Sequence, residues 1–207
     1  MKVEFYGNKM SDRPATYTCE KRYSFIESLI KKHIRTIDIL PALRVQAEHA
    51  PIWMKEDSHW NNNGIIAAAG MISDSIKHYT KKGTTNFLVK DTCFTYLGDL
   101  KSLSGGNDSF TLHTKTIRYG NGSPYVNDTT SSILIFGDSF IDIPGRQNGN
   151  LSEFIAYYLG KPVHSHCSVG GNTEGIRLLK KMKKTIVKKK IVVWIFSSRY
   201  LYINFSE

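Results

Sequence analysis

The sequence predicts an α/β protein in which helices cover both faces of a parallel sheet. Nearly wholly apolar segments toward the C-terminal end alternate with segments of helical spacing, a pattern typical of such a sheet. The strands are predicted at Ile133–Phe136, Pro162–Cys167 and Ile191–Phe196, and the helices at Ser152–Leu159 and Thr173–Lys184. The 207 residues, 41% of them hydrophobic, are enough for one buried core, so we expect a single domain spanning 1–207.

The first half of the chain continues this alternation. Apolar residues at helical spacing predict a helix over Ser24–Ile34, and cap-type asparagines before a one-sided apolar pattern predict another over about 61–79. Short apolar runs beside prolines predict strands at Thr36–Leu40 and Pro51–Met54. Alternating aromatic and β-branched residues around a Gly-Gly-Asn-Asp turn then predict a β-rich insertion at 84–126.

The chain is basic, with a formal net charge of +10 and a pI near 9.4. Polyanions such as nucleic acid, an anionic lipid surface or an acidic polysaccharide are therefore conceivable partners. Much of the excess lies in seven lysines, Lys180, Lys181, Lys183, Lys184, Lys188, Lys189 and Lys190. The run predicts a solvated helix face, with a polyanion site as the alternative. Nucleic-acid binding is disfavoured because aromatic residues do not interleave with the lysines.

Neither the cysteines nor the histidines predict a metal site or a cofactor. Cys19, Cys93 and Cys167 are too few for a disulfide framework and contain no close pair. His164 and His166 share a strand, but no further ligand completes the spacing of a metal site. The sequence also contains no signal peptide and no apolar run of transmembrane length.

Chemically useful residues follow several of the predicted strands. In an open parallel sheet the ligand site lies beyond the carboxyl ends of the strands, where the following loops meet. These loops contain Gly137-Asp138-Ser139-Phe140, Asp57-Ser58-His59-Trp60, Gly170-Gly171-Asn172 and Ser197-Ser198-Arg199-Tyr200. The sequence thus predicts a serine, an imidazole and a carboxylate at one edge.

Those three groups are the components of a nucleophilic triad. Ser139 would be the nucleophile, His59 would take its proton, and Asp57 would orient and stabilise the imidazole. The backbone N–H groups of Ser139 and Gly170, with the side-chain amide of Asn172, would form the oxyanion hole. Taken singly, each motif also fits an ordinary turn, a capping residue or a surface histidine.

Three further residues are candidates for substrate binding. Trp60 could stack on a sugar ring, although packing beneath the catalytic loop explains it equally well. Arg199 and Tyr200 could hold an acyl group or a sugar hydroxyl, or simply end the last strand.

Several blocks together resemble the alginate O-acetyltransferase family, a branch of the SGNH/GDSL hydrolase superfamily. They are Ile37–Arg44 followed by Asp57-Ser58-His59-Trp60-Asn61, Gly98-Asp99-Leu100, Ile133–Phe140 and, more weakly, Arg199-Tyr200-Leu201. As in that family, the aspartate and the histidine precede the serine in sequence.

The resemblance implies a three-layer α/β/α SGNH-hydrolase-like fold, which is flavodoxin-like, and no cofactor. It further implies transfer of acetyl groups to exopolysaccharide hydroxyls, in the periplasm or at the cell surface, with a membrane acyltransferase partner delivering the donor. Compared with that family, the chain is expected to lack the N-terminal segment. A carbohydrate acetylesterase of the same fold and a non-catalytic module that binds polyanionic polysaccharide are the alternatives.

Overall fold

The structure, a computed structural model, describes residues 16–143, 149–168 and 177–198. Its helices are α1 (Thr16–Lys31), α2 (Leu40–His49), α3 (Asn62–Ile76), α4 (Asp99–Leu103), α5 (Leu151–Leu159) and α6 (Lys183–Ile186). Its strands are β1 (Phe87–Tyr96), β2 (Phe110–Tyr119), β3 (Ile133–Gly137), β4 (His164–Cys167) and β5 (Ile191–Ile195). A 3₁₀ turn at Lys77–Tyr79 follows α3, and residues 177–181 are also helical.

The parallel sheet has the strand order β4-β3-β5 within the described residues. Every residue of β3 is buried, because this strand lies between two neighbours and both of its faces are covered. Ile133 and Ile135 belong to the core cluster with α3 and α5, while Phe136 lies near Trp194 of β5. The predicted α/β fold with a parallel sheet is therefore confirmed.

β1 and β2 form a separate antiparallel pair within the β-rich segment predicted at 84–126. The two ten-residue strands pair from Phe87 with Tyr119 to Tyr96 with Phe110, and α4 lies in their connection. Ile117 is fully buried in the core cluster, so this pair packs on the rest of the domain. That it is an insertion into a single domain stays a prediction.

α3 follows the His59 loop, and its first turn fixes the position of that loop. The side chain of Asn61 caps the helix by accepting the backbone N–H groups of Asn63 and Gly64. Gly64 packs so closely that a Cβ there would lie 2.7 Å from the carbonyl oxygen of Ile52. The helix predicted over about 61–79 is thus confirmed, with its last turn in 3₁₀ form.

Two predicted strands are wrong. Residues 34–39 form no ladder within the described chain, and α2 begins at Leu40, with Pro41 in its first turn. Proline is favourable there because its missing N–H has no helical partner to lose, so the same residue that predicts a strand end also starts a helix. Pro51–Met54 forms only an isolated bridge, between Trp53 and Trp60, in a tight loop that folds back on itself.

Other boundaries differ by a few residues. The helix predicted over Ser24–Ile34 is α1, which starts earlier and ends at Lys31, near His33 with a left-handed φ of 57°. The helix predicted over Thr173–Lys184 is broken near Met182, and its first residues lie outside the described part. Within the described residues, none of the helices combines the length and the apolar character needed to cross a bilayer.

Candidate active site

Asp57, His59 and Ser139 form a continuous hydrogen-bonded chain. The Nε2 atom of His59 lies 2.8 Å from the hydroxyl oxygen of Ser139, and its Nδ1 atom lies 2.8 Å from an Asp57 oxygen. Asp57 is fully buried and His59 is buried, whereas Ser139 is partly exposed. The serine is therefore the member of the chain that a substrate can reach.

The Asp57 carboxylate accepts four hydrogen bonds. One oxygen accepts the backbone N–H of His59 at 2.7 Å in addition to the His59 ring. The other accepts the Tyr96 hydroxyl and the backbone N–H of Asp99, both at 2.9 Å. Burial raises the pKa of Asp57, but the hydrogen bonds from His59, Asp99 and Tyr96 outweigh it and lower that pKa to about 2.

An ionised Asp57 determines which ring nitrogen of His59 has the proton. A carboxylate can only accept, so Nδ1 must donate to it, which leaves the lone pair of Nε2 for the hydroxyl proton of Ser139. The arrangement can thus remove a proton from the serine and stabilise the imidazolium that results.

The loop that presents His59 turns back on itself. The backbone N–H of Met54 donates to the carbonyl of His59 at 3.1 Å, and that of Asn61 to the carbonyl of Ile52 at 2.9 Å. Glu56 has a left-handed φ of 57°, a conformation that costs a non-glycine residue roughly 1 kcal/mol or more. This loop does not follow a strand, contrary to the prediction, but it still reaches the edge of the sheet where Ser139 lies.

The nucleophile turn is held by backbone geometry and by aromatic packing. At Gly137 a Cβ would lie 2.7 Å from the carbonyl oxygen of Ile195, so β3 and β5 can approach only because this residue is glycine. A side-chain oxygen of Asp138 accepts the backbone N–H of Phe140 at 3.0 Å. The Phe140 ring then contacts the rings of His59 and Trp60, each with a centroid separation of 5.2 Å.

Trp60 is 1% exposed, and its indole N–H donates to the carbonyl of Phe140 at 3.1 Å. A ring buried on this scale has no face on which a sugar could stack. The alternative of packing beneath the catalytic loop therefore describes Trp60, and the substrate-binding prediction for it is corrected.

Four other predicted site residues lie outside the described residues. They are Gly170 and Asn172 of the predicted oxyanion hole, and Arg199 and Tyr200 of the predicted substrate site. The strands that precede them do end at the expected edge, because Gly137 pairs with Cys167 on one side and Ile195 on the other.

Sequence reasoning missed two residues of this site, Tyr96 and Asp99. Both bind Asp57, and Asp99 also binds Ser58. The block Gly98-Asp99-Leu100 was part of the family resemblance, but nothing in its spacing indicated a partner about forty positions earlier. Tyr96 looked like one more residue of an alternating strand.

Asp57, His59 and Asp99 also form the kind of cluster that could hold a metal ion, with ligand atoms within 4.8 Å of one another. These atoms already serve protein partners. Both carboxylate oxygens of Asp57 accept hydrogen bonds. One oxygen of Asp99 accepts the backbone N–H of Ser58, and the other accepts the Ser58 hydroxyl. A metal would have to displace those hydrogen bonds, so the donor set fits an orienting network better than a metal centre.

A groove of about 550 Å³ runs beside the start of α3 and the middle of the β1–β2 pair. Its lining residues are mostly of polar type, although most of the surface they expose to the groove is carbon; they are Asn62, Asn63, Asp91, Thr92, Cys93, His113, Thr114 and Lys115. Asn62 follows the His59 loop by three positions in sequence and binds Thr114 and Lys115 through its side chain. The groove therefore lies beside the segment that follows the loop.

Comparison with known proteins places the chain in a family and a fold. The family model described as "SGNH hydrolase-like domain, acetyltransferase AlgX" matches residues 1–198. The O-acetyltransferase domain of Pseudomonas putida AlgJ superposes with a TM-score of 0.77 and 17% identity, over 98% of this chain and 74% of that one. Pseudomonas aeruginosa AlgX superposes with a TM-score of 0.62 and 19% identity, over 84% of this chain and 42% of that one.

No match is found among curated proteins. At identities below one fifth, the two structural likenesses establish a shared fold, while the family model covers nearly the whole sequence. The resemblance inferred from the motifs and the SGNH-hydrolase-like fold are both confirmed. The chain belongs to the SGNH hydrolase-like domain family of the acetyltransferase AlgX.

Proposed function

We propose that this protein is an O-acetyltransferase that acts on polysaccharide hydroxyls through an acetyl-enzyme on Ser139. The observation that carries the proposal is the unbroken chain from Ser139 through His59 to Asp57, with both contacts at 2.8 Å. Membership of an acetyltransferase family gives the type of group transferred. The structural neighbour from Pseudomonas putida is an O-acetyltransferase domain, which agrees with it.

In the first half-reaction the Ser139 oxygen attacks the carbonyl carbon of an acetyl donor. The hydroxyl proton moves to Nε2 of His59, and the resulting imidazolium is stabilised by the Asp57 carboxylate at Nδ1. When the tetrahedral intermediate collapses, the leaving group takes the proton from Nε2. Ser139 then holds the acetyl group as an ester, and His59 is neutral again.

In the second half-reaction a sugar hydroxyl attacks the acetyl ester. Nε2 of His59 removes the proton from that hydroxyl and returns it to the Ser139 oxygen as the ester bond breaks. The backbone N–H groups of Ser139 and Gly170 and the amide of Asn172 are the proposed donors to the oxyanion in both steps. Arg199 and Tyr200 are proposed to hold the acyl group or the sugar.

The surroundings of the reaction are proposals drawn from the resemblance. A membrane acyltransferase would supply the acetyl donor, and the reaction would take place in the periplasm or at the cell surface.

The test is acetyl transfer from a chromogenic acetyl ester to oligosaccharides, with Ser139→Ala compared with wild type. Loss of about 10³-fold or more in rate is expected, because the proposed acyl-enzyme forms on the hydroxyl that this substitution removes. Ser75→Ala is the matched control, since Ser75 is an exposed serine on α3 that bonds only within its own helix. Equal transfer rates in wild type and Ser139→Ala would refute the proposal.

The acetyl-transfer assay, together with a polymer-binding measurement, distinguishes the two alternatives. Release of free acetate with no acetylated oligosaccharide would identify an esterase, in which water takes the place of the sugar hydroxyl. Polymer binding that falls steeply with salt, with no reaction at Ser139, would identify a polyanion-binding module.

One lysine of the run from Lys180 to Lys190 already stabilises the fold. The Nζ atom of Lys189 donates to the backbone carbonyls of Thr129 and Ser131, which precede β3.

A further inference from the structure

A second carboxylate, that of Asp99, binds the residue between Asp57 and His59. One of its oxygens accepts the backbone N–H of Ser58 at 2.6 Å, and the other accepts the Ser58 hydroxyl. The backbone N–H of Asp99 meanwhile donates to Asp57 at 2.9 Å. Asp99 therefore contacts the orienting aspartate directly and fixes the backbone that leads to the imidazole.

Asp99 also places charge near the imidazole. Its Oδ2 atom lies 3.6 Å from Nδ1 of His59, compared with 2.8 Å for the nearer Asp57 oxygen. The side chain of Asp99 is 36% exposed, so water screens part of this interaction. A negative charge at this distance attracts the positive charge that the ring gains when it takes the serine proton.

The backbone around Asp99 supports the same loop. Gly98 approaches Glu56 so closely that a Cβ would lie 2.2 Å from the Glu56 carbonyl oxygen. That carbonyl in turn accepts the backbone N–H of Lys101 at 3.2 Å, which holds Glu56 in its left-handed conformation. The segment from Gly98 to Lys101 thus contacts the loop from Glu56 to Ser58.

We propose that Asp99 is a positioning residue of the transfer reaction, with two separable effects. Its hydrogen bonds to Ser58 hold His59 in line with Ser139, and its negative charge stabilises the imidazolium that forms when the serine gives up its proton. This inference rests on the proposed acyl-transfer function, because it assigns a role within that reaction.

Two substitutions separate the two effects. Asp99→Asn has the same shape, and its amide oxygen still accepts the Ser58 N–H while its NH₂ group donates to the Ser58 hydroxyl, so the charge is lost and the loop is kept. Asp99→Ala removes both. Asp91→Asn is the matched control, because Asp91 is a carboxylate of the same β1–α4 region whose side chain is 85% exposed and pairs with Lys115.

The first readout is the pH dependence of acetyl-ester hydrolysis, with kcat and KM determined separately. For Asp99→Asn we expect kcat to fall about 10-fold with KM unchanged, and the fall in activity at low pH to begin at a lower pH than in wild type. Asp99→Ala should lose more of kcat because the loop also loosens. Asp91→Asn should match wild type.

The other ionisable groups on the segments around the ring, including Asp138 on the turn of Ser139, are the same in all three variants. Asp57 on the same loop, and Tyr96 from β1 through its bond to Asp57, are unchanged in all three variants. Glu56 on the loop and Lys101 from α4 form an ion pair with each other at 4.0 Å and are also unchanged. A shift of the low-pH limb that appears with Asp99→Asn and not with Asp91→Asn therefore reports the Asp99 charge.

The second readout needs no turnover. In a reaction with a fluorophosphonate at fixed pH, the rate at which Ser139 is modified should fall about 10-fold in Asp99→Asn, for the same reason as kcat, and further in Asp99→Ala. An identical modification rate and an identical pH–rate profile would overturn the charge effect, and an unchanged kcat in Asp99→Ala would overturn the positioning role. Failure of the proposed function is recognised separately, by the activity of Ser139→Ala.

Discussion

The two segments that meet at the candidate site are fixed by different physical means. The loop of Asp57 and His59 is held by polar contacts: four donors surround the Asp57 carboxylate, and Asp99 binds Ser58. The turn of Ser139 is held mainly by apolar contacts, since it follows the wholly buried strand β3 and Phe140 packs among aromatic rings, and two hydrogen bonds to the Phe140 backbone add to them. The group that must become charged has a preorganised polar environment, whereas the nucleophile needs only a rigid support and access.

Disrupting the polar contacts of the Asp57 and His59 loop should have the largest effect on rate. Asp57→Asn keeps the shape of the side chain but permits the wrong tautomer of His59, so kcat should fall by about 10³- to 10⁴-fold. The change is measured as the rate of acetyl-ester hydrolysis, with a near-ultraviolet circular dichroism spectrum to establish that the fold is retained. A fall of less than about 10-fold would mean that Asp57 does not orient the imidazole.

Disrupting the apolar contacts of the Ser139 turn should lower stability as well as rate. Phe140→Ala removes a 6%-exposed ring that contacts His59, Trp53 and Trp60, and should reduce the free energy of unfolding by about 3–5 kcal/mol. Urea denaturation measures it. Tyr157→Ala, on an aromatic ring that is 37% exposed on α5, is the control and should cost much less. Equal losses in the two variants would show that Phe140 is not a packing anchor.

Acid should weaken the contacts of the Asp57 carboxylate and so lower the free energy of unfolding. The pKa of Asp57 is lowered from 3.8 to about 2 in the folded protein, so its contribution is complete above about pH 4 and is lost as the pH falls toward 2. A shift of this size corresponds to about 2 kcal/mol. The free energy of unfolding of wild type should therefore fall more between pH 4 and pH 2 than that of Asp57→Asn, in which no carboxylate titrates at this position. If the free energy of unfolding of the two proteins falls equally over this range, the hydrogen bonds to Asp57 do not stabilise its ionised form.

The same contrast explains which parts could be predicted from sequence. The sequence predicts β3, β5 and α5 because burial imposes a local pattern of apolar residues. A strand covered on both faces is a continuous apolar run, and a helix covered on one face has apolar residues at helical spacing. Asp57, His59 and Ser139 were recognisable as a set through their order and their family resemblance. The links among polar groups were not, because the Ser58–Asp99 bond joins positions 41 apart and leaves no periodic signal.

Local ambiguity accounts for the incorrect strands. The run from Thr36 to Leu40 has β-branched residues before a proline, but Pro41 stands in the first turn of α2 and Asp38 accepts the backbone N–H of Leu40. The run from Ile52 to Met54 is as apolar and buried as a sheet strand, yet it is buried because it lies in the core beneath the His59 loop. Burial alone therefore does not distinguish a strand from a packed loop.

The most direct test of the reaction proposed here is to trap the acetyl-enzyme. Wild type and His59→Ala are mixed with a chromogenic acetyl ester, quenched in acid, digested and examined by peptide mass spectrometry. We expect one added acetyl group on the peptide that contains Ser139 in wild type and none, or a much slower appearance, in His59→Ala. Turnover of the ester by wild type with the acetyl group on another residue, or on no residue at all under rapid quenching, would contradict the account.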